Sequence, residues 1–375
     1  METLSMHHIA YYISGQGYGH AVRSIEVIKS LSKKNPYLFF HIKTSAPEWF
    51  FSLNLDCNYL YYELENDIGT VEHSFHEVDK RETLRKLTTL FSPTDKFLED
   101  ETAFLLQNNV NLVIGDIPPG AFVAASKAGI PSVAIGNFSW DWIYGHFLED
   151  EPQFAPLINQ VRNGYAQADL LLRLPMHGPM SAFKNTIEIP LIVRRARRKD
   201  RDVRRMFRIE DDGKKLVLVA LRPSELKQVN FQKLSVSPKY KFIVLNLQKL
   251  VPGMLNLPQN LMPFQELVNA CDIVVSKLGY GIVSECIANK TRLVFPDKTE
   301  CIETGLHVEE LSRNGIGEKL SRTNFLKGNW TAALNRAIRR EWPVNSRAMN
   351  GADVAAGHIE RFLREKVWTE SRAFA

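Results

Sequence analysis

The sequence has few cysteines and lacks the long apolar runs that a membrane protein needs. Its four cysteines form no CxxC pair, and none lies near histidines spaced for a metal ion. We therefore expect reduced thiols, with neither disulfides nor a zinc site. The N-terminus has no basic region followed by a long apolar stretch, and the longest apolar runs, such as 216–221, are only as long as a strand. These absences predict a cytoplasmic protein.

An excess of charge of one sign is also absent, except in one segment. The 375 residues carry a net charge of +5, and the 45% hydrophobic and 24% charged fractions exclude a disordered or fibrous chain. Residues 194–208, which we call the basic segment, contain nine arginines and lysines against two aspartates. The segment alone carries +7, so the rest of the chain is close to neutral.

The basic segment has three interpretations. It is a solvated linker, a source of ligand-binding cations through Arg194 and Arg195, or a peripheral contact with the anionic inner face of a membrane. Aromatic residues do not alternate with its cations, so we expect no nucleic acid partner.

Short β-branched or aliphatic runs alternate with helical patterns along the chain. Strands are predicted over 8–14, 38–44, 111–116, 130–138, 215–221, 241–247, 272–277 and 292–296, and helices over 21–34, 121–128, 264–270, 282–289 and 354–368. This alternation predicts an α/β fold with doubly wound parallel sheets. We place one Rossmann-like domain at 1–190, a second at 191–350, and a final helix in 351–375 that packs back on the first. Paired domains of this kind bind ligands in a cleft at the carboxyl ends of their strands.

A glycine loop follows the first predicted strand and precedes a helix. Gly15, Gly17 and Gly19 have the spacing GxGxG, but a dinucleotide fingerprint needs a glycine where His20 stands and an acidic residue after the second strand. Both are missing, so we expect no NAD or FAD, and no Lys-Ser/Thr pair makes a P-loop. A helix N-terminus keeps an imidazole neutral and able to accept a proton. His20 is therefore either a general base or a cap of its own helix.

A second glycine loop, SKLGYGIVSE at 276–285, repeats this strand, turn and helix order. The amides of Gly279, Tyr280 and Gly281 are placed to bind a phosphate at a helix start. Glu285, one turn later, suits the paired hydroxyls of a ribose. The alternative is a tight turn followed by a surface glutamate.

Four segments together resemble a known family: 11–28 with GQGYGH, 137–144 (NFSWDWIY), 189–195 (IPLIVRR) and 274–285. They are similar to the GT-B glycosyltransferases, especially the MurG-like group, and most to the glycosyltransferase-like N-terminal domain of plant L-arabinokinase and its stand-alone bacterial relatives. The resemblance implies a GT-B fold, with two Rossmann-like domains facing a cleft. It also implies inverting transfer of a sugar from a nucleotide sugar, for which we expect UDP, to a hydroxyl acceptor that is lipid-linked or a small molecule.

The resemblance also implies site residues. His20 matches the base of inverting members, and Leu261 belongs to the loop that cups the nucleotide base. Donor contacts are expected at Gly17, Gly19, Arg222, Met262, Pro263, Phe264, Ser276, Lys277, Gly279, Tyr280, Gly281, Glu285, Glu300, Glu303 and Thr304. MurG-like enzymes have a glutamine pair near the last three positions and this chain does not, so the identity of the sugar stays open.

The expected chemistry needs a partner for the base and a counter-charge for the leaving group. Asp116 and Asp141 both follow predicted strands, and we favour Asp116 as the residue that orients His20, with a helix cap or turn as its alternative role. Arg222 can supply a cation to the departing diphosphate, or it is a solvated loop residue. The chain has no DxD between strands, so we predict that no metal cofactor is needed.

Acceptor contacts are the least specified. Trp140 and Tyr144, with Asp141, belong to an aromatic cluster that either stacks on a sugar or forms core. His73 and His76 have no accompanying metal ligands, so we expect an exposed loop there. Two other functions remain open: a non-catalytic nucleotide-sugar-binding module and an enzyme like UDP-GlcNAc 2-epimerase.

Overall fold

The computed structural model describes residues 6–74, 77–90, 96–297, 302–342 and 348–368, with side chains for all of these except 73, 74, 77, 367 and 368. Their contacts divide the chain into two units. The described residues of Met1–Glu72, Val78–Ile192 and Arg347–Ala375 form the first unit, and those of His73–Glu77 and Val193–Ser346 form the second.

Strands and helices alternate as the sequence patterns predict. The strands are β1 (His7–Ile13), β2 (Leu38–Thr44), β3 (Tyr59–Glu63), β4 (Glu72–Ser74), β5 (Glu77–Val78), β6 (Val110–Asp116), β7 (Ser132–Gly136), β8 (Leu170–Arg173), β9 (Thr186–Glu188), β10 (Lys215–Ala220), β11 (Tyr240–Leu245), β12 (Met254–Leu257), β13 (Ile273–Ser276), β14 (Arg292–Pro296) and β15 (Gly317–Leu320).

The helices are α1 (Tyr18–Lys34), α2 (Glu48–Ser52), α3 (Lys80–Leu90), α4 (Lys96–Gln107), α5 (Pro119–Ala128), α6 (Trp140–Gly145), α7 (Ala155–Tyr165), α8 (Asp200–Met206), α9 (Pro223–Leu226), α10 (Gln232–Ser235), α11 (Phe264–Ala270), α12 (Tyr280–Ala288), α13 (Glu303–Arg313), α14 (Arg322–Leu326), α15 (Thr331–Arg339) and α16 (Gly351–Leu363). A 3₁₀ turn at Pro152–Phe154 precedes α7, and a π turn at Arg364–Trp368 follows α16. No helix among the described residues is both long enough and apolar enough to cross a membrane.

The first unit is built on a parallel sheet with the strand order β3-β2-β1-β6-β7-β8-β9. The direction of strand addition reverses between β1 and β6, and ligands of open α/β sheets bind at such a switch point. The pairing of Ile13 with Asp116 brings the carboxyl ends of these two strands level. Both strands are buried along nearly their whole length, as expected where helices cover both faces of a sheet.

The second unit has its own parallel sheet in the order β12-β11-β10-β13-β14-β15. Counted along the chain this is 3-2-1-4-5-6, the order typical of dinucleotide-binding folds. Its switch point lies between β10 and β13. The two sheets confirm the predicted α/β class with parallel, doubly wound topology.

The final helix, α16, belongs to the first unit and packs against α1. Ser30 of α1 donates a hydrogen bond to Asp353 at 2.5 Å. Gly351 lies so close to the chain at Pro190 that a Cβ would be 2.1 Å from the carbonyl oxygen of Pro190. Its amide also donates to the carbonyl of Leu191. The last helix is therefore joined to the segment at which the chain leaves the first unit.

The basic segment is not uniformly solvated. Its exposed cations are Arg195, Arg197, Arg198, Lys199, Arg201, Arg205 and Arg208. Arg194, by contrast, is 1% exposed and pairs with the buried carboxylate of Glu285. The amides of Arg197 and Arg198 donate to Glu266 of α11, both at 3.0 Å. The segment is thus fixed to the second unit by a buried carboxylate, and Arg194 is part of the interior.

Candidate functional site

The first glycine loop lies at the switch point of the first unit. Gly17 precedes α1 with φ 86°, a left-handed conformation that favours glycine. Gly15 lies close to Ser45, since a Cβ there would be 1.8 Å from the serine hydroxyl. Gly19 is in the first turn of α1, directly before His20. The loop therefore brings the start of α1 close to the ends of β1 and β2.

His20 is paired with Asp116, as the sequence suggests. The Nδ1 atom of His20 is 2.8 Å from Oδ1 of Asp116, and the two residues are 6% and 0% exposed. The imidazole packs edge-on against Phe138, with 5.5 Å between ring centroids. Among the described residues no side chain or backbone group hydrogen-bonds Nε2 of His20, so this nitrogen is available to a ligand.

Asp116 accepts hydrogen bonds from other donors besides the imidazole. Arg23 donates to both carboxylate oxygens at 2.6 Å, and the hydroxyl of Ser24 donates to Oδ2 at 3.1 Å. Burial opposes ionisation of Asp116, but the charges and hydrogen bonds of Arg23 and His20 outweigh it and lower the pKa of this carboxyl. Asp116 is therefore ionised at neutral pH.

A second buried carboxylate, Asp67, lies within electrostatic reach of His20. Its Oδ1 accepts from the hydroxyl of Ser14 and its Oδ2 from the indole of Trp140, both at 3.0 Å. Burial raises the pKa of Asp67, although these hydrogen bonds and His20 work against the rise. Sequence analysis missed this residue because it left 45–110 unassigned. The aromatic-rich YLYYE of β3, just before it, was the available signal.

The predicted acceptor-side residues are in the interior. Trp140 and Tyr144 are 6% and 1% exposed, and their rings stack on each other at 5.6 Å. Asp141 is 3% exposed and pairs with Arg162 at 3.1 Å. These positions form core below the switch point, because the short helix α6 turns its apolar residues inward. A sugar could not stack on them without rearrangement of the core.

One exposed aromatic side chain, Tyr18, does lie beside the glycine loop. Tyr18, the first residue of α1, is 38% exposed and stacks on Phe50 at 5.1 Å. It also packs edge-on against Trp49 of α2, which follows β2, at 6.2 Å. This cluster is at the carboxyl edge of the sheet, which is the edge where the acceptor was expected.

Two cationic donor candidates, Arg222 and Lys277, lie at the switch point of the second unit. Arg222 is exposed and directly precedes α9, after β10. Ser276 ends β13 and donates to the carbonyl of Ala220 at 2.7 Å. Lys277 follows it, with Nζ 2.9 Å from the buried carboxylate of Glu225. Glu225 also accepts from the amide of Arg222 at 2.8 Å, so one carboxylate contacts both segments that carry the cations.

The second glycine loop leaves open space at the start of α12. Gly279 is the residue before the helix, and no heavy atom outside its neighbours lies within 4 Å of where its Cβ would be. Tyr280 and Gly281 are buried in the first turn of the helix. The Gly279 position therefore offers unobstructed access to the amide groups at the helix start.

Glu285 is not on the surface of this loop. It is 1% exposed, and Nε of Arg194 donates to its Oε1 at 2.6 Å. The structure thus corrects the alternative of a surface glutamate, and it gives the predicted ribose contact no direct support. Sequence reasoning could not find this pair because 91 residues separate its members.

The remaining donor candidates lie at three places. Met262 is 5% exposed and in the core, while Pro263 and Phe264 are half-buried at the start of α11. Leu261 is 46% exposed. Glu303 and Thr304 begin α13, where Glu303 lies 3.3 Å from the buried His307. Glu300 and His76 are outside the described residues, as is the side chain of His73. In the described part of the chain, no three His, Cys, Asp or Glu residues cluster as metal ligands would.

Comparison with known proteins links this chain to one curated relative. No family model matches the chain. L-arabinokinase of Arabidopsis thaliana is 30% identical over 360 residues, which are 93% of this chain but 34% of that protein. The chain therefore spans about a third of the length of its relative.

Solved structures show which fold this is. The glycosyltransferase of kitacinnamycin superposes with a TM-score of 0.61 at 14% identity, covering 96% of this chain and 95% of that one. UDP-GlcNAc 2-epimerase from Neisseria meningitidis, bound to UDP-GlcNAc, gives 0.59 at 14% identity over 96% and 100% of the two chains. The chain has the GT-B fold, which it shares with solved glycosyltransferases such as that of kitacinnamycin, and 93% of this chain is similar to plant L-arabinokinase. The resemblance to GT-B glycosyltransferases and to L-arabinokinase is thus confirmed.

Proposed function

We propose that the protein is an inverting glycosyltransferase that moves a sugar from a UDP-sugar to a hydroxyl acceptor. The observation that carries this proposal is the His20–Asp116 pair at the switch point of the first unit, with Nε2 of His20 available. The GT-B fold supports it, since solved proteins of that fold include glycosyltransferases.

In the proposed reaction the acceptor hydroxyl gives its proton to Nε2 of His20 while its oxygen attacks the anomeric carbon. The bond from that carbon to the diphosphate breaks on the opposite face, so the configuration inverts. Asp116 accepts the Nδ1 hydrogen of the imidazole at 2.8 Å, which orients the ring and stabilises the imidazolium that forms.

The departing diphosphate gains negative charge, which the second unit is equipped to balance. Arg222 and Lys277 flank the switch point between β10 and β13, and the amides at the start of α12 are accessible beside Gly279. Cations and helix-start amides stabilise a developing oxyanion without a metal ion. We propose metal-independent transfer on this basis, and we expect EDTA to leave the activity unchanged.

The acceptor side rests on the exposed Tyr18 and the half-buried Trp49, whose rings lie beside the glycine loop. Tyr18 and Trp49 offer apolar faces at the carboxyl edge of the first sheet, in place of the buried Trp140 and Tyr144. Aromatic faces of this kind stack on sugar rings and other flat or apolar groups. We propose that they contact the acceptor.

The main test is a comparison of two histidine variants. His20→Ala is expected to lower the release of UDP from a UDP-sugar by about 100-fold or more, the usual contribution of a general base. His146→Ala, at an exposed histidine of the same unit, should leave the rate unchanged. Undiminished turnover in His20→Ala would rule out the proposed base.

A ligand screen separates the donor from its alternatives. Thermal shifts with UDP, GDP, dTDP and their sugars should show stabilisation by UDP and a UDP-sugar. Stabilisation by a GDP-sugar alone would contradict the assignment of UDP. Binding of UDP without release from any UDP-sugar would favour a binding module, and conversion of UDP-GlcNAc to its 2-epimer would favour the epimerase.

The basic segment supports a second partner, an anionic membrane surface at which the acceptor could reside. Seven of its cations are exposed, and Met206 beside them is 58% exposed. Each cation near an anionic bilayer contributes on the order of 1 kcal/mol to binding. Sedimentation with vesicles containing anionic lipid should carry the protein down, and replacing Arg197, Arg198 and Arg201 by glutamine should weaken this several-fold. Equal binding to neutral vesicles would contradict the proposal.

A further inference from the structure

Arg23 lies one helical turn after His20 and is 1% exposed. Its Nε donates to Oδ2 of Asp116 and its Nη2 to Oδ1, both at 2.6 Å. Nη2 is also 3.0 Å from Nδ1 of His20. The guanidinium therefore contacts both members of the base pair, although a histidine–carboxylate pair can orient its ring without such a neighbour.

The charge of Arg23 determines whether this buried cluster takes up a proton. An isolated buried carboxylate is costly, and it either pairs with a cation or takes up a proton. Here the guanidinium charge cancels that of Asp116, so the cluster is balanced while the imidazole stays neutral. A neutral imidazole that donates its single hydrogen from Nδ1 to Oδ1 of Asp116 keeps its lone pair on Nε2.

Loss of the guanidinium would favour uptake of a proton by the cluster. Wherever that proton binds, Nε2 of His20 loses its free lone pair. On the imidazole it gives an imidazolium with hydrogen on both nitrogens. On Asp116 it makes the carboxyl a donor to Nδ1, which moves the ring hydrogen to Nε2. In both cases Nε2 carries hydrogen and cannot act as a base.

Three described neighbours of the cluster do not replace this charge. Asn137 accepts from Nη1 of Arg23 at 2.6 Å and adds no charge. Asp67 faces His20 from the loop after β3, but Ser14 and Trp140 occupy its two oxygens. Tyr11 of β1 lies near Asp116, and burial raises its pKa, so it stays neutral.

We propose that Arg23 is a positioning residue whose positive charge keeps Nε2 of His20 unprotonated. The inference deepens the proposed function, since a free Nε2 is what a general base requires. It does not depend on finding a substrate, because the hydrogens of the ring can be observed directly.

The test is ¹⁵N NMR of the histidine side chains of the full chain at pH 7.5, with the His20 signals assigned by their loss in His20→Gln. In the unaltered protein Nε2 should be pyridine-like and Nδ1 pyrrole-like. Arg23→Gln should make Nε2 pyrrole-like. Arg23→Lys, which keeps the charge, should leave Nε2 pyridine-like.

Several outcomes would overturn the proposal. A protonated Nε2 in the unaltered protein contradicts it without any variant, and so does an unprotonated Nε2 in folded Arg23→Gln. If Arg23→Gln fails to fold, Arg23→Lys still decides, because a protonated Nε2 in that variant contradicts a role for charge. Failure of the glycosyltransferase proposal would instead appear as absent turnover with the ring in its expected state.

Discussion

Asp116 links the polar residues of the first unit through four donors from three residues of α1. Its partner Arg23 has no access to solvent that could replace the carboxylate. Asp141 is also buried, but its partner Arg162 has a side chain that is 54% exposed. The two aspartates therefore offer a matched comparison of buried and half-exposed ion pairs.

Asp116→Asn is expected to destabilise the first unit by about 3–5 kcal/mol, since it leaves a buried guanidinium without its counter-charge. Asp141→Asn should cost below about 1 kcal/mol, because water can solvate Arg162. Urea unfolding of both variants at neutral pH measures the difference. Equal losses would mean that Arg23 finds other compensation.

Gly279→Ala tests the proposed donor role of the second glycine loop at a single atom. The added methyl enters open space and extended backbone, so the stability should change by less than about 1 kcal/mol. The same methyl stands where a diphosphate would approach the helix-start amides, and we expect the affinity for UDP to fall about tenfold or more. Isothermal titration with UDP gives the affinity, and Gly357→Ala serves as the control. An unchanged affinity would remove Gly279 from the donor site.

Among the elements, the docking of α16 depends on one small residue. Gly351 begins the helix against the carbonyl of Pro190, whereas a Cβ at Gly357, six residues later, would have no heavy atom within 4 Å. The same substitution should therefore have opposite effects at the start and in the middle of one helix.

Gly351→Ala is expected to cost about 1–3 kcal/mol, because the backbone must shift to admit the methyl. Gly357→Ala should stabilise by about 0.5–1 kcal/mol through helix propensity. Thermal unfolding followed by circular dichroism compares the two variants. A destabilising Gly357→Ala would show that this position is more crowded than the structure indicates.

The sequence patterns predicted the buried elements well and the amphipathic ones poorly. The strand predicted at 38–44 coincides with β2 and the helix at 264–270 with α11, because both are mostly buried. The region 45–110 was left unassigned, although it contains β3, α3 and α4. The strand β3 is half-exposed along its length, so its composition gives a weaker signal than that of a central strand.

For the molecule as a whole, stability should depend on pH through a histidine outside the proposed site. His41 of β2 is 2% exposed, and its two ring nitrogens lie 3.0 Å from Nδ1 of His8 and 3.1 Å from the hydroxyl of Tyr62. Burial, with smaller effects of His8 and Lys43, lowers the pKa of His41 to about 4. The unfolded chain therefore binds a proton that the folded chain does not, between pH 6.5 and 4.

This contribution of His41 to folding stability is complete above about pH 6.5 and is lost as the pH falls toward 4, by up to about 3 kcal/mol. His41→Phe should flatten the dependence of unfolding free energy on pH in that window, whatever its effect at neutral pH. Urea titrations at about pH 4.5, 5.5 and 7 measure the slope, and His146→Ala is the control. An unchanged slope in His41→Phe would assign the proton uptake to other groups.

The sequence by itself determined the α/β class and the two glycine loops, with His20 at a helix start, because periodicity and turn chemistry are local properties. Only the tertiary structure decided which distant side chains are buried together. The Arg194–Glu285 pair and the Arg23–Asp116 pair join residues 91 and 93 positions apart. A residue type does not reveal its partner at that distance, because burial and charge compensation depend on how the helices pack on the sheet.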